Sequence, residues 1–205
     1  MKYLEIQKYL EKLRLFSVED LRMLDPNYDK SKISKWIKAW YIKKIIRWFY
    51  ILYSISLNQN TLFSISNKIY SPSYISLEMA FCYYGIIPEQ VFNITAVSTQ
   101  KTKSFDTDIW FFDYKKIKTE LFWWYTIVKN WENKFLIAEL EKAFIDYFYL
   151  NNTIKSTEDL QGLRLNKQVL RKVLDIKKLR TYWRTINANI LQHRIDLLIT
   201  YLHND

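Results

Sequence analysis

Glycine, proline and cysteine are nearly missing from this sequence: its 205 residues include two glycines, three prolines and one cysteine. Each shortage excludes something. Sandwiches and barrels need a turn residue every ~8–12 positions, which this chain cannot supply. Gly85 and Gly162 stand far apart, so the glycine-rich loops of P-loop and dinucleotide-binding proteins are missing and no nucleotide cofactor is expected. Cys82 has no partner thiol for an internal disulfide, which fits a reducing, cytoplasmic location. The two histidines, His193 and His203, have no cysteine or carboxylate at ligand spacing. A structural zinc site takes about four such ligands, so no metal is expected. The opening MKYLEIQKYLEKLR is charged throughout and lacks the apolar core of a signal peptide. No apolar run approaches the ~20 residues needed to span a bilayer, so no membrane partner is expected. The longest run, Trp48 to Tyr53, reads as a buried strand.

Apolar residues make up 49% of the chain and aromatics 18%, enough for a well-packed core and the opposite of a disordered composition. The net charge of +10 is unevenly spread. Residues 1–53 hold 12 basic and 6 acidic groups, residues 54–154 hold 9 and 10 with no arginine, and residues 155–205 hold 10 and 5. A basic head and tail around a near-neutral centre point to polyanion contact at the ends, with a solubility device as the alternative.

Leu4, Ile6, Leu10 and Leu13 give residues 2–14 one apolar side, predicting a helix. Ser17 with Glu19 and Asp20 reads as the N-cap and acidic first turn of a short helix, Val18 to Leu24, that stops before Pro26. A third helix starts near Asp29 or Lys30, because Ile33, Trp36, Ile37 and Trp40 recur at i, i+3, i+4 and i+7. The aromatic and β-branched segment 41–52 reads as a hairpin around a basic tip near Lys44 to Trp48.

Three helices and a hairpin within ~50 residues predict a winged helix-turn-helix over 1–55. Residues 56–205 read as a second, mixed domain, giving an α+β chain overall. Its core, about 60–150, holds helices at Leu62 to Ile69 and Ser76 to Tyr84, with Gly85 as a C-cap. Strands follow at Val91 to Ser98, Lys103 to Thr107, Ile109 to Lys116 and Leu121 to Val128, read as a small antiparallel sheet, and then a helix from Ile137 to Leu150. The tail, 151–205, reads as three helices from Thr157, the last from about Ala188 to Leu202.

The third helix has the composition of a DNA reader. It buries one side and offers Lys30, Ser31, Ser34, Lys35 and Lys38 on the other, with Lys32 on its flank. Lysines neutralise phosphates and serines are short enough to approach base edges. Lys43, Lys44 and Arg47 in the hairpin could reach neighbouring phosphates, and Asp29 is the single acid among residues 29–53. The bland alternative is an amphipathic helix with a solvated lysine side. Asp106, Asp108 and Asp113 with Lys115 allow a different reading, a magnesium site for phosphodiester hydrolysis, against solvent-facing carboxylates on a half-buried sheet. Cys82, within Met79-Ala80-Phe81-Cys82-Tyr83-Tyr84, reads as buried rather than nucleophilic. The aromatics at 122–125 and 144–149 read as core rather than as base-stacking platforms.

Two blocks carry a family resemblance. IYSPSYISLEMAFCYYGIIPEQVFNITAVSTQKTKSF, residues 69–105, and LIAELEKAFIDYFYL, residues 136–150, resemble the AbiEi-like antitoxins of type IV toxin–antitoxin (abortive infection) systems. The likeness spans roughly residues 17–150. This chain has Ile109 where that family usually has a glycine, and Phe122-Trp123-Trp124-Tyr125 where it often has Phe-Phe-Gly-Tyr. The resemblance implies a non-enzymatic, bifunctional protein. Its winged helix would repress its own operon by binding inverted repeats in the promoter, a symmetry compatible with a homodimer on the DNA. Its second domain would counteract a nucleotidyltransferase-like toxin without needing a stable complex. The DNA-reading role falls on Lys30, Ser31, Ser34, Lys35 and Lys38, and the wing role on Lys43, Lys44 and Arg47.

Overall fold

A computed structural model describes residues 3–29, 31–88, 92–129, 134–186 and 189–203. Among them the chain forms ten α-helices, a small antiparallel sheet and a larger mixed sheet. Expected positions Lys30, Val91 and Ala188 lie outside the described residues.

The first six elements are α1 (Tyr3–Leu13), β1 (Leu15–Ser17), α2 (Val18–Leu24), α3 (Ser31–Lys38), β2 (Ile42–Ile46) and β3 (Phe49–Leu52). The Ser17 cap is present: its hydroxyl accepts the Asp20 N–H at 3.2 Å, and the Asp20 carboxylate accepts the Ser17 N–H at 2.6 Å. The strands run antiparallel in the order β1-β3-β2. Phe16, Ile42, Tyr50 and Leu52 form a core with Leu10, Leu21, Ile33 and Trp36 of the three helices. The opposite face of the sheet is also buried, because Leu15, Ile45 and Ile51 join the core of the remaining chain. Lys68 bridges the two parts by donating to the Leu13 carbonyl at 3.0 Å, and burial pulls its pKa below the usual lysine range.

The larger part opens with α4 (Gln59–Ile69), β4 (Ser73–Ile75) and α5 (Leu77–Tyr83). Strands β5 (Asn93–Ser98), β6 (Lys103–Asp106), β7 (Phe111–Lys116), β8 (Tyr125–Lys129) and β9 (Lys134–Ala138) follow, then α6 (Leu140–Leu150). The sheet has six strands in the order β6-β7-β5-β4-β9-β8. It is mixed, which corrects the expected small antiparallel set: β5 pairs parallel with β7, and β4 with β9. Besides β1 in the small sheet, two strands here have no counterpart among the expected ones. β4 is only three residues long and shows no alternation, and β9 occupies Ile137 and Ala138, expected to open a helix. Helix α4 covers one face of the sheet, where Phe63 packs edge-on to Phe135 and the Ser66 hydroxyl lies 3.0 Å from that of Tyr114. Helix α6 lies on the other face, with Phe144 against Phe81 of α5.

The tail has four helices rather than three: α7 (Thr157–Gln161), α8 (Lys167–Val173), α9 (Ile176–Ile186) and α10 (Asn189–His203). Asp175 separates α8 from α9, because its carboxylate accepts the Lys178 N–H at 3.0 Å and starts α9. Glu141 of α6 fastens α9 by accepting the Asp175 N–H at 3.0 Å and pairing with Lys178 at 3.2 Å. Buried Arg194 of α10 closes the end of α6, donating to the carbonyls of Phe148 and, at 3.2 Å, Ile154.

The shortage of glycine has a visible cost. Helix α5 ends in a Schellman turn with Gly85 at φ +68°, where the Ile86 N–H reaches the Phe81 carbonyl and the Gly85 N–H that of Cys82. Helix α3 ends in the same way, from Tyr41 to Trp36 and from Trp40 to Ile37, but a tryptophan occupies the left-handed position at φ 58°. Arg14, Trp48, Leu77, Trp124 and Arg164 also have positive φ. A side chain in this region costs roughly 1–2 kcal/mol relative to glycine.

Candidate nucleic-acid interface

Helix α3 turns Ile33 and Trp36 into the small core and leaves Ser31, Ser34, Lys35 and Lys38 exposed. Lys32 is half-buried on the flank. Among the described residues neither Lys35 nor Lys38 forms an ion pair. Ser31 is already engaged: its N–H donates to Asp29 at 2.8 Å, and its hydroxyl donates to the same carboxylate. These bonds hold Asp29 below the usual carboxylate range. Lys30 lies outside the described residues.

The hairpin separates its cations. Lys44 pairs across the sheet with Tyr50, on the side of the helices, and is exposed. Arg47 is exposed at the turn, with its guanidinium 4.8 Å from the Trp48 ring centre. Lys43 pairs with Ile51, on the opposite side of the sheet, and its ammonium donates to the Asp108 carbonyl at 3.3 Å. It therefore ties the hairpin to the larger part of the chain. Sequence reasoning treated Trp40 as part of the buried stripe, yet it is 69% exposed and meets Tyr53 edge-on. Its side chain leaves the stripe because the helix has already turned left-handed there.

β4 and α6 meet in the interior through a polar cluster. Asp146 is buried and accepts hydrogen bonds from the Lys142 ammonium, from Tyr74 at 3.0 Å and from Ser76 at 2.8 Å. Burial raises the Asp146 carboxyl against the pull of Lys142 and the two hydroxyls. Glu141, in the same helix, serves α9. Glu141, Lys142 and Asp146 of α6 are thus all engaged by other residues of the fold.

At Trp124 the backbone is left-handed, at φ 56°. The indole stacks on Tyr182 of α9 with ring centres 3.6 Å apart and an 8° angle between planes. That contact offsets the strain and explains why β8 begins at Tyr125, later than expected. Cys82, expected to be buried, is half-exposed. Phe144, Tyr147 and Phe148 lie in the core.

Asp113 pairs with Lys115 at 2.9 Å and accepts from Ser104 at 2.8 Å, while Asp106 and Asp108 are exposed. Among the described residues no group of three or more His, Cys, Asp or Glu is placed to hold a metal ion, and no helix is long and apolar enough to cross a membrane. No family model matches the sequence, and no curated protein matches it.

Proposed function

We propose that this chain is an antitoxin and autorepressor of a type IV toxin–antitoxin operon, reading DNA through a winged helix-turn-helix at residues 1–55. One observation carries the DNA-binding half: Ser34, Lys35 and Lys38 stand exposed on α3, opposite Ile33 and Trp36, with Lys44 and Arg47 exposed on the adjoining hairpin. The order helix, strand, helix, helix, strand, strand around a three-stranded sheet supports the same reading. A recognition helix buries one side and gives short polar and cationic groups to the major groove, while a neighbouring element reaches the backbone. On this reading the protein binds inverted repeats in its own promoter, one copy of the chain per half-site.

The antitoxin half rests on the resemblance over residues 69–105 and 136–150, which implies that the larger domain counteracts a nucleotidyltransferase-like toxin. No observation favours a magnesium-dependent nuclease or toxin-modifying enzyme, since Asp113 is paired with Lys115 and the nearby aspartates face solvent.

Titration of a promoter duplex at several salt concentrations tests the DNA-binding half. Binding that weakens steeply with salt and is lost on replacing Lys35 and Lys38 supports it; undiminished binding by that variant overturns it. Co-expression with the product of a neighbouring nucleotidyltransferase-like gene tests the other half, through rescue of growth.

A further inference from the structure

On the sheet face that carries α6, a cleft of about 580 Å³ opens beside the end of that helix. Leu77 and Glu78 of α5 line it, with Asn93 and Thr95 of β5, Asp113 and Lys115 of β7, and Leu150 and Asn151 at the end of α6. Its size is within the range of ~300–1,000 Å³ usual for small-ligand pockets.

Several of its polar groups are already committed. Asp113 is occupied by Lys115 and Ser104. Thr95 donates to the Ser76 carbonyl at 2.8 Å and accepts the Met79 N–H at 3.1 Å. Asn151 donates its amide to the Tyr147 carbonyl at 3.0 Å, which leaves its oxygen as an acceptor. The Glu78 carboxylate is half-buried and has no cation at ion-pair distance among the described residues. Burial pushes its carboxyl up, against the pull of a hydrogen bond from its own backbone N–H and of nearby Lys115, with Asp113 adding a smaller push. The C-terminal end of α6 adds nothing to this charge, because Arg194 and the Asn151 amide already engage its Phe148 and Tyr147 carbonyls. With Asp113 and Lys115 paired to each other, the charge left over in the cleft is that of Glu78, with the Asn151 oxygen as an acceptor and Leu77 and Leu150 as apolar walls. A metal ion fits poorly, because only one carboxylate is uncommitted.

We propose that this cleft binds a small organic cation, a guanidinium or ammonium head on a short alkyl stem, with Glu78 as the counter-charge and Asn93 and Asn151 as hydrogen-bond acceptors. A planar guanidinium can meet a carboxylate with two parallel bonds. The site lies outside the DNA-reading surface and does not depend on it.

Calorimetric titration of the full chain with butylguanidinium, butylamine and the uncharged butylurea tests this. The two cations are expected to bind with Kd below about 1 mM and butylurea not to bind. Glu78→Gln, which keeps the shape and removes the charge, should weaken the cations by more than about tenfold. Asn93→Leu, which replaces an exposed polar group of the lining with an apolar one and leaves Glu78 in place, should also weaken them and keeps the test decisive if the first variant misfolds. Equal binding of butylurea, unchanged affinity in both variants, displacement of butylguanidinium by magnesium chloride at the same concentration, or no binding at all would each overturn the proposal.

Discussion

Tyr74 and Asp146, 72 residues apart in the chain, meet through a 3.0 Å hydrogen bond in the interior. The bond joins β4 to α6, and Lys142 and Ser76 complete the set around the same carboxylate. Residues 69–105 and 136–150 thus each contribute to one buried polar cluster. Truncating Lys142 to alanine strands a charge inside the protein, for which a loss of roughly 3–5 kcal/mol is expected. Replacing the pair together, Lys142→Met with Asp146→Leu, should cost less than the single change. Denaturant unfolding of the three proteins measures this.

Each phosphate neutralised contributes about −0.9 to the slope of log affinity against log salt. The variant with Lys35 and Lys38 replaced by alanine should bind all duplexes more weakly and flatten that slope by about 2 if each lysine meets one phosphate. Ser34→Ala should leave the slope unchanged and alter discrimination between promoter and unrelated DNA. Fluorescence anisotropy across a salt series separates the two effects.

The hairpin lysines should differ. Lys44 is exposed on the side of α3, while Lys43 faces the larger core and reaches Asp108. Lys44→Ala is expected to weaken DNA binding, and Lys43→Ala to leave affinity near the parent value while lowering the melting temperature slightly. The same anisotropy assay, paired with thermal unfolding, checks both.

At Trp124 strain and stacking oppose each other. Trp124→Ala loses the Tyr182 contact and keeps a left-handed side chain, whereas Trp124→Gly loses the contact and relieves the backbone. Both variants should be less stable than the parent, with glycine the milder by about 1 kcal/mol. The order of their unfolding midpoints is the readout.

Alkaline pH should destabilise the fold. Burial, with Tyr83, Glu139 and Glu141 nearby, pushes Tyr84 up to about 12, and burial with Glu139 does the same to Tyr182. Their folded values exceed the ordinary 10.0, so their contribution is complete below pH 10 and is lost as pH rises to about 12. Tyr84→Phe should make stability fall less steeply over that window, as followed by the melting temperature.

The periodic signals were readable because they are local. Ile33 and Trp36 mark the buried side of α3 through spacing alone, and Ser17 with Asp20 marks the start of α2. Pairing was harder to read. β2 is buried from both sides, with Ile42 in the small core and Ile45 in the large one, so the alternation that would have placed Lys43 does not exist. β4 and β9 are short and pair across more than sixty intervening residues, a contact that no window along the chain can register. Glu78 stayed hidden for the same reason, since its cleft forms only when α5, β7 and the end of α6 come together.

Tryptophans bracket β2, with Trp40 at φ 58° before it and Trp48 at φ 76° after it. Glycine at these corners would act as a hinge, letting the helix and the hairpin swing independently and charging an entropic toll whenever both docked at once. Bulky indoles restrict that swing, so the helix and the hairpin hold a preset mutual pose, with their ordering settled during folding.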